Sequence, residues 1–399
     1  MASTTAPVET PAAKVAPLPT IAETLTHPAF PTAIWDLKPD RQGLTPVAEG
    51  RGGPINISWE IHGVGPTKLI VSPIIPSHKP AHSLTHSPPQ FIMGLGGLKT
   101  AWQRQTLHFG HEHRDQYSVL ILDNRGMGDS DKPLMRYSTS EMALDIAEVL
   151  AAPAVGWLPA YPLPTPPPPR TLHVVGISMG GMIAQELALL IPSCLSSLSL
   201  ICTAAAVENT SPSFTSHLAS RASLLIPKSP DRAVADTAAN LFPAGWTALP
   251  DDVHLPDPQT TPSCGAPEGG YGRFDTNGER FVAQELHKRR DPGRFGVKGF
   301  LLQLVAAGWH HKSAAQLGEM AERVGRERIL VMHGTEDGMI SVPHGRKLIE
   351  FVKPGRGLIL EGMGHAPLVE RWEWFNGLVG EMCEIGERLD GRGGGVVLN

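Results

Sequence analysis

The stretch HVVGISMGGM, residues 173–182, decides the fold because it joins two kinds of pattern. Its first half is an apolar run suited to a buried strand, and helix-like spacing follows its second half. A nucleophile at the tip of such a sharp strand-to-helix turn needs a strained backbone and small neighbours. Gly176 and Gly180 supply those small neighbours. We therefore predict that Ser178 is a nucleophile; the alternative is a glycine-rich turn with an incidental serine.

Apolar, β-branched runs alternate with helical patterns along the chain. Runs suited to buried strands lie at residues 90–96, 118–124, 172–178, 198–203, 328–334 and 358–364. Helix-like spacing occurs at residues 140–152, 180–191 and 345–352. This alternation predicts an α/β fold with a mostly parallel sheet that helices cover on both faces. Residues 55–63 alternate like a strand in a preceding hairpin.

Composition excludes several classes of protein. The chain has 399 residues, of which 41% are hydrophobic and 18% charged, as in an ordinary globular protein. Its net charge of -5 gives no general attraction to nucleic acid or to anionic membranes. Its apolar runs are shorter than the roughly 20 residues of a membrane span, and its start lacks the apolar region of a secretory signal. We expect a cytoplasmic protein with a small-molecule substrate; the sequence leaves its oligomeric state open.

A serine hydroxyl is a weak nucleophile and needs a base that an acid orients. When the serine follows a strand in this way, the acid and then the histidine come later in the chain. The strand at 328–334 delivers Asp337 into the next loop, and the strand at 358–364 delivers His365. Both residues follow the carboxyl ends of strands, where an open α/β sheet keeps its site. We predict that Asp337 is the acid and His365 the base.

Each of these assignments has an alternative. Glu336 and Glu208 are rival acids, and His333 is a rival base at the end of its strand. Asp337 could instead cap the following helix, and His365 could be a loop histidine. All three groups in the required order favour the catalytic interpretation.

Two backbone amides are predicted to bind the oxyanion of the reaction. The first belongs to Met179, at the start of the helix that follows the serine. The second comes from the glycine-rich run after the strand at 90–96. We assign it to Leu95, with Gly94 as the alternative. The run lacks the lysine and the serine or threonine of a phosphate-binding P-loop, and a simple tight turn remains the other interpretation.

Five motifs resemble those of the α/β-hydrolase-fold proteins, which include small esterases, enol-lactonases and methyl-ester hydrolases. They are MGLGGLKTAW at 93–102, LDNRGMGDSDKP at 122–133, GISMGG at 176–181, GTEDGM at 334–339 and GMGHAP at 362–367. The resemblance covers about residues 52–385. It implies an α/β-hydrolase fold with a helical cap over the site. Met93 stands where a histidine is common in the family, and Ser178 departs from members that use an aspartate nucleophile.

The expected organisation has four parts. They are a disordered or loosely ordered tail at 1–50, a core at 51–204 and 326–386, a helical cap at 205–325, and a flexible tail at 387–399. Three inserts interrupt the pattern, at 72–89, 159–169 and 250–272, and we expect surface excursions there. Helical patterns in the cap occur at 213–226, 229–242, 280–290 and 296–309. Candidate pocket residues, which could equally form the core of the cap, are Phe242, Trp246, Phe300, Leu304 and Trp309.

The sequence therefore predicts a serine hydrolase that cleaves a small, largely apolar ester, thioester or lactone through an acyl-enzyme. No cofactor and no metal is implied. An acyltransferase or a lyase could use the same Ser-His-Asp site. A non-catalytic binding protein of the same fold would not need the complete set of residues.

Overall fold

The computed structural model describes residues 17–65, 89–92, 94–208, 229–261, 263–265 and 267–392. Its strands are β1 Arg41–Val47, β2 Ile55–His62, β3 Pro89–Ile92, β4 Val119–Leu122, β5 Leu172–Ile177, β6 Leu195–Ile201, β7 Ile329–Gly334 and β8 Arg356–Leu360. They form one sheet in the order β1-β2-β4-β3-β5-β6-β7-β8. The pairs β1–β2 and β2–β4 are antiparallel, and every later pair is parallel. The predicted α/β class is confirmed.

Helices cover both faces of this sheet. The α-helices of the described residues are α1 Ile21–Thr26, α2 Gln103–Gln105, α3 Thr139–Ala151, α4 Met179–Leu190, α5 Pro230–Leu241, α6 Asn277–Arg289, α7 Val297–Gly308, α8 Ala314–Val324, α9 Val342–Val352, α10 Pro367–Glu370 and α11 Trp372–Leu389. A π-helix, Thr106–Glu112, follows α2. None of the described helices is both long and apolar enough to cross a membrane.

The central strands are buried on both faces, and this explains their continuous apolar runs. Every residue of β4, β5, β6 and β7 is buried. Successive side chains enter different cores: Val174 lies in the cluster beneath α3, α4, α8 and α9, while Val175 lies in the cluster beneath α11. Burial on both faces removes the alternation that marks a half-buried strand.

The described parts of the two expected tails are more ordered than the sequence indicated. Within the expected tail at 1–50, residues 41–47 form the edge strand β1, and Arg41 pairs with Ile61 of β2. The sequence concealed β1 because only two of its seven residues are buried. At the other end, α11 runs to Leu389, and Arg392 donates to the Arg170 carbonyl at 2.6 Å. Residues 1–16 and 393–399 lie outside the described residues.

The inserts differ in how much of them is described. Except for Pro89, which begins β3, the insert at 72–89 lies outside the described residues, as do Met93 and the helical pattern at 213–226. The insert at 159–169 contains neither helix nor strand and is mostly exposed. The described part of 250–272 is irregular, and its Val253 packs with Trp35 and Leu107.

Candidate active site

Ser178 lies at the junction of β5 and α4, in an uncommon backbone conformation. Its φ is 58° and its ψ is -126°, a region that non-glycine residues seldom adopt. The turn is so tight that a Cβ on Gly176 would lie 2.4 Å from the Gly180 carbonyl oxygen. The backbone is fixed from the next strand, because the Ser178 amide donates to the Ile201 carbonyl at 3.0 Å. The small residues around Ser178 are therefore required by close backbone contacts.

Asp337 and His365 lie together after β7 and β8. The His365 Nδ1 atom is 2.7 Å from the Asp337 Oδ2 atom, and both residues are buried. The second oxygen of Asp337 accepts from the amides of Met339 and Ile340, at 2.9 and 2.8 Å. These bonds fix the carboxylate and place the His365 proton on Nδ1, which leaves Nε2 free to accept.

The surroundings of Asp337 stabilise the negative charge of its carboxylate. Burial opposes ionisation, but the charge of His365 and hydrogen bonds from His333 and His365 outweigh it, so the pKa of Asp337 lies well below its ordinary value. The His333 Nε2 atom is 2.6 Å from the Ile340 carbonyl oxygen and 3.1 Å from Asp337 Oδ2. Because that carbonyl can only accept, Nε2 carries the proton. His333 therefore donates toward the Asp337 carboxylate and does not act as the base. It is not among the residues that line the cavity described below.

The rival acids occupy different surroundings. Glu208 is exposed, and its carboxylate pairs with Lys347 at 2.7 Å. Glu336 is also exposed, although it precedes Asp337 in the chain. Neither carboxylate has a recorded contact with His365 within the described part of the chain. The geometry therefore favours Asp337 over both.

The glycine-rich turn after β3 approaches Ser178 closely. A Cβ on Gly94 would lie 2.9 Å from the Ser178 Cβ and 3.4 Å from its Oγ. The Gly96 amide is already occupied, since it donates to the Gln303 side chain of α7 at 3.0 Å. The Leu95 amide and the Met179 amide, which begins α4, have no acceptor among the described contacts. Both remain available to a ligand.

A cavity of about 970 Å³ contains Ser178, His365, Gly94 and Leu95 in its wall. Residues of helices α5, α6 and α7, which lie between β6 and β7 in the chain, also line the cavity. The aromatic residues in this lining are Phe30, Phe242, Phe281, Phe295 and Phe300. The cavity is therefore lined both by residues that follow strands of the sheet and by residues of the helical segment between β6 and β7.

Only part of the expected pocket lies in this cavity. Phe242 and Phe300 line it, whereas Trp246, Leu304 and Trp309 do not. Trp246 is buried behind Phe242, with ring centroids 4.0 Å apart. Leu304 and Trp309 lie outside because α7 reaches the cavity through its first turn, and these two residues follow that turn. Trp309 is 67% exposed.

Sequence reasoning missed the charged part of the lining and the role of Gln303. Gln303 is fully buried and also donates to the Arg125 carbonyl at 3.0 Å, so it joins α7 to the turn after β4 as well as to Gly96. The basic residues of the lining are Arg104, Lys288, Arg289, Arg290 and Arg294, and the acidic ones are Asp236, Glu285 and Asp291. No periodicity distinguishes these residues from an ordinary solvated helix face.

Two groups of described side chains have donors close enough for a metal ion. One consists of Cys202, Asp337 and His365; the other consists of His108, Glu112 and His113 on and beside the π-helix. Cys202 is a poor ligand because burial, followed by the charge of Asp337, raises the pKa of its thiol well above the ordinary value. The Asp337 oxygens are already occupied by hydrogen bonds. The first group therefore fits a hydrogen-bonded acid–base pair better than a metal site.

The sheet order, the strained serine turn and the Asp337–His365 pair define the class of α/β-hydrolase-fold proteins. Residues 84–378 match the alpha/beta hydrolase family. The chain belongs to that family.

Known proteins support the fold over most of the chain. "Putative carbamate hydrolase RutD" from Azorhizobium caulinodans is 29% identical over 150 residues, which are 38% of this chain and 42% of that protein. The chain thus spans less than half the length of this curated relative. A hydrolase from Pseudomonas aeruginosa PA01 has a TM-score of 0.54 at 19% identity, covering 86% of this chain and 98% of that one. A thermophilic esterase from Thermogutta terrifontis has a TM-score of 0.55 at 16% identity, covering 86% and 97%.

Proposed function

We propose that the protein is a serine hydrolase that cleaves a small carboxylic ester, thioester or lactone through an acyl-enzyme. The observation that carries this proposal is the 2.7 Å contact between Asp337 and His365 beside a cavity that Ser178 shares with His365. A strained serine, a histidine with a free Nε2 atom and a fixed carboxylate are the three groups that nucleophilic acyl transfer needs.

In the proposed mechanism, the Ser178 hydroxyl attacks the substrate carbonyl while His365 Nε2 takes its proton. Asp337 holds the His365 tautomer and stabilises the imidazolium that forms. The amides of Leu95 and Met179 donate to the oxyanion of the tetrahedral intermediate. His365 then returns the proton to the leaving group. A water molecule, activated by His365, releases the acyl group and restores Ser178.

The helical segment at 205–325 would act as a cap that selects the substrate. Its support is that residues of α5, α6 and α7 line the same cavity as Ser178. The aromatic lining fits an apolar acyl or ring group. The name of the RutD relative refers to a carbamate, whose carbonyl could be attacked by the same steps. An acyltransferase would use the same residues with an alcohol or thiol in place of water, and product analysis with added acceptors separates the two activities.

Labelling with a fluorophosphonate probe tests the nucleophile directly. We expect the full-length protein to be labelled at Ser178 and the Ser178→Ala variant to show no labelling with an unchanged circular dichroism spectrum. Ser193→Ala is the matched control, because Ser193 lies outside the cavity lining, and its labelling should equal that of the parent protein. Labelling that persists in Ser178→Ala would contradict the proposal.

A further inference from the structure

Arg104 is a buried arginine in the wall of the cavity that contains Ser178. It belongs to α2, which follows the glycine-rich turn at Gly94–Gly97. Only 5% of its surface is exposed, yet it is among the residues that line the cavity. The residue is therefore almost completely removed from bulk solvent while remaining accessible to a bound ligand.

Few groups of the protein stabilise the positive charge of the Arg104 guanidinium. Its Nη1 atom donates to the Val369 carbonyl oxygen at 2.9 Å, and within the described residues no carboxylate forms an ion pair with it. The nearby Asp251 carboxylate is already committed to Arg280, whose Nη2 and Nε atoms lie 2.7 and 2.8 Å from its oxygens. Asp251 therefore acts on Arg104 only through its charge, as does the exposed Asp252. Among the described residues, the Nη1 atom of Arg280 has no hydrogen-bond partner.

The positive charge of Arg104 persists at neutral pH in spite of this environment. Burial, reinforced by the charge of Arg280, lowers the pKa of Arg104 to about 10. Burying an unpaired charge is costly, and arginine is almost never fully buried without a partner. An anion that enters the cavity would supply the missing partner.

The other basic groups of the lining differ from Arg104. Lys288 and Arg289 pair with Glu285, and Arg294 pairs with Asp129. The side chains of these three basic residues are partly exposed, so solvent also screens their charges. Arg104 combines burial, access to the cavity and the absence of a carboxylate partner among the described residues.

We propose that Arg104 binds a carboxylate group of the substrate, so that the preferred substrate has an apolar body, a scissile carbonyl at Ser178 and a second, anionic end. A guanidinium binds a carboxylate through two parallel charge-assisted hydrogen bonds. The Nε and Nη2 atoms of Arg104 have no hydrogen-bond partner among the described residues, so they suit that geometry. This inference rests on the proposed serine hydrolase activity and adds the substrate class. The expected substrate thus keeps its largely apolar body but also carries one negatively charged carboxylate.

The test compares two sets of 4-nitrophenyl esters. One set consists of the half-esters of succinate, glutarate, adipate and suberate; the other replaces the free carboxylate with an isopropyl group of similar shape. The ratio of kcat/KM between an anionic ester and its neutral partner is the measured quantity. We expect at least one chain length to favour the anion in the parent protein, and Arg104→Met to lower that ratio about 10- to 100-fold.

Two further variants separate a bound carboxylate from a general field effect. Arg104→Lys keeps the charge but loses the planar pair of donors, so its ratio should lie between those of the parent protein and Arg104→Met. Arg290→Met removes an exposed charge from the same cavity lining, and its ratio should stay within about twofold of the parent value. Arg104→Lys also serves if Arg104→Met does not fold.

The outcomes distinguish this inference from the proposed function. If the parent protein is labelled at Ser178 and hydrolyses the neutral esters, but no Arg104 variant changes the ratio, the carboxylate inference alone is overturned. An equal fall in Arg290→Met would also overturn it, because the effect would then come from the overall positive charge. Absence of Ser178 labelling in the parent protein would overturn the proposed function and the inference with it.

Discussion

Replacing Asp337 with asparagine changes one atom of the site and should disable its base. The Oδ1 atom would continue to accept from the amides of Met339 and Ile340, which lie 2.9 and 2.8 Å away. The new amide nitrogen would therefore take the position of Oδ2, 2.7 Å from the His365 Nδ1 atom. Because that nitrogen donates, His365 Nδ1 must become the acceptor and its proton moves to Nε2. A protonated Nε2 cannot take the proton of Ser178.

The size of the loss follows from this change of tautomer. Removing the acid while keeping the rest of a triad lowers kcat by about 10⁴-fold. At 1.36 kcal/mol for each factor of ten, the transition state should be destabilised by about 5.4 kcal/mol. A flip of the amide would let its oxygen accept from His333 Nε2, 3.1 Å from the Oδ2 position, but it would turn the NH2 group toward the amides of Met339 and Ile340, which also donate.

Steady-state hydrolysis of 4-nitrophenyl butyrate measures kcat, and the rate of fluorophosphonate labelling measures the reactivity of Ser178 independently. Both should fall in Asp337→Asn. The matched control is Glu208→Gln, which removes a carboxylate from an exposed ion pair with Lys347 and should change kcat by less than about twofold. A kcat within tenfold of the parent value in Asp337→Asn would refute the reasoning. A large loss in Glu208→Gln instead would transfer the role of the acid to that residue.

Two further predictions concern stability and the pocket. Asp251→Asn leaves the buried Arg280 guanidinium without its carboxylate and should lower the free energy of unfolding in urea by about 3–5 kcal/mol. Asp36→Asn, in an exposed ion pair, should lower it by less than about 1 kcal/mol. Equal losses of unfolding free energy would show that burial does not decide the contribution of an ion pair. Phe300→Ala enlarges the cavity and should shift the preference among acyl chain lengths, while Trp309→Ala, outside the cavity, should leave that profile unchanged in kcat/KM measurements. The reverse pattern would place the pocket elsewhere.

The sequence predicted those parts of the site that depend on local structure. Ser178 could be predicted because a serine between two glycines at the end of an apolar run is typical of a sharp strand-to-helix turn. Asp337 and His365 were identifiable because the ends of parallel strands meet at one edge of the sheet. The structure brings Asp337 and His365 together, and the catalytic role of all three residues remains a prediction.

Features that depend on distant packing could not be predicted in this way. Leu304 and Phe300 share one helix face by spacing, but only Phe300 lines the cavity, because the position of the helix along its own axis is set by tertiary contacts. The edge strand β1 has too few buried residues to show a clear alternation. Whether Arg104 forms an ion pair depends on which carboxylates the fold brings near it, and no local sequence pattern predicts that.

The position of Gln303 has a consequence for recombination between relatives of this protein. Its side chain joins α7 to the Gly96 amide and to the Arg125 carbonyl, and α7 lies so close to the turn after β4 that a Cβ on Gly299 would be 2.0 Å from the Gly126 carbonyl oxygen. A chimaera that exchanges residues 205–325 as one block would therefore replace Gln303 and Gly299, and the turn beside Ser178 would lose its contacts with α7 unless the new segment provides the same two residues. Crossover points that preserve this glutamine and glycine, and exchange only α5 and α6, would keep the turn in place while changing the shape of the cavity.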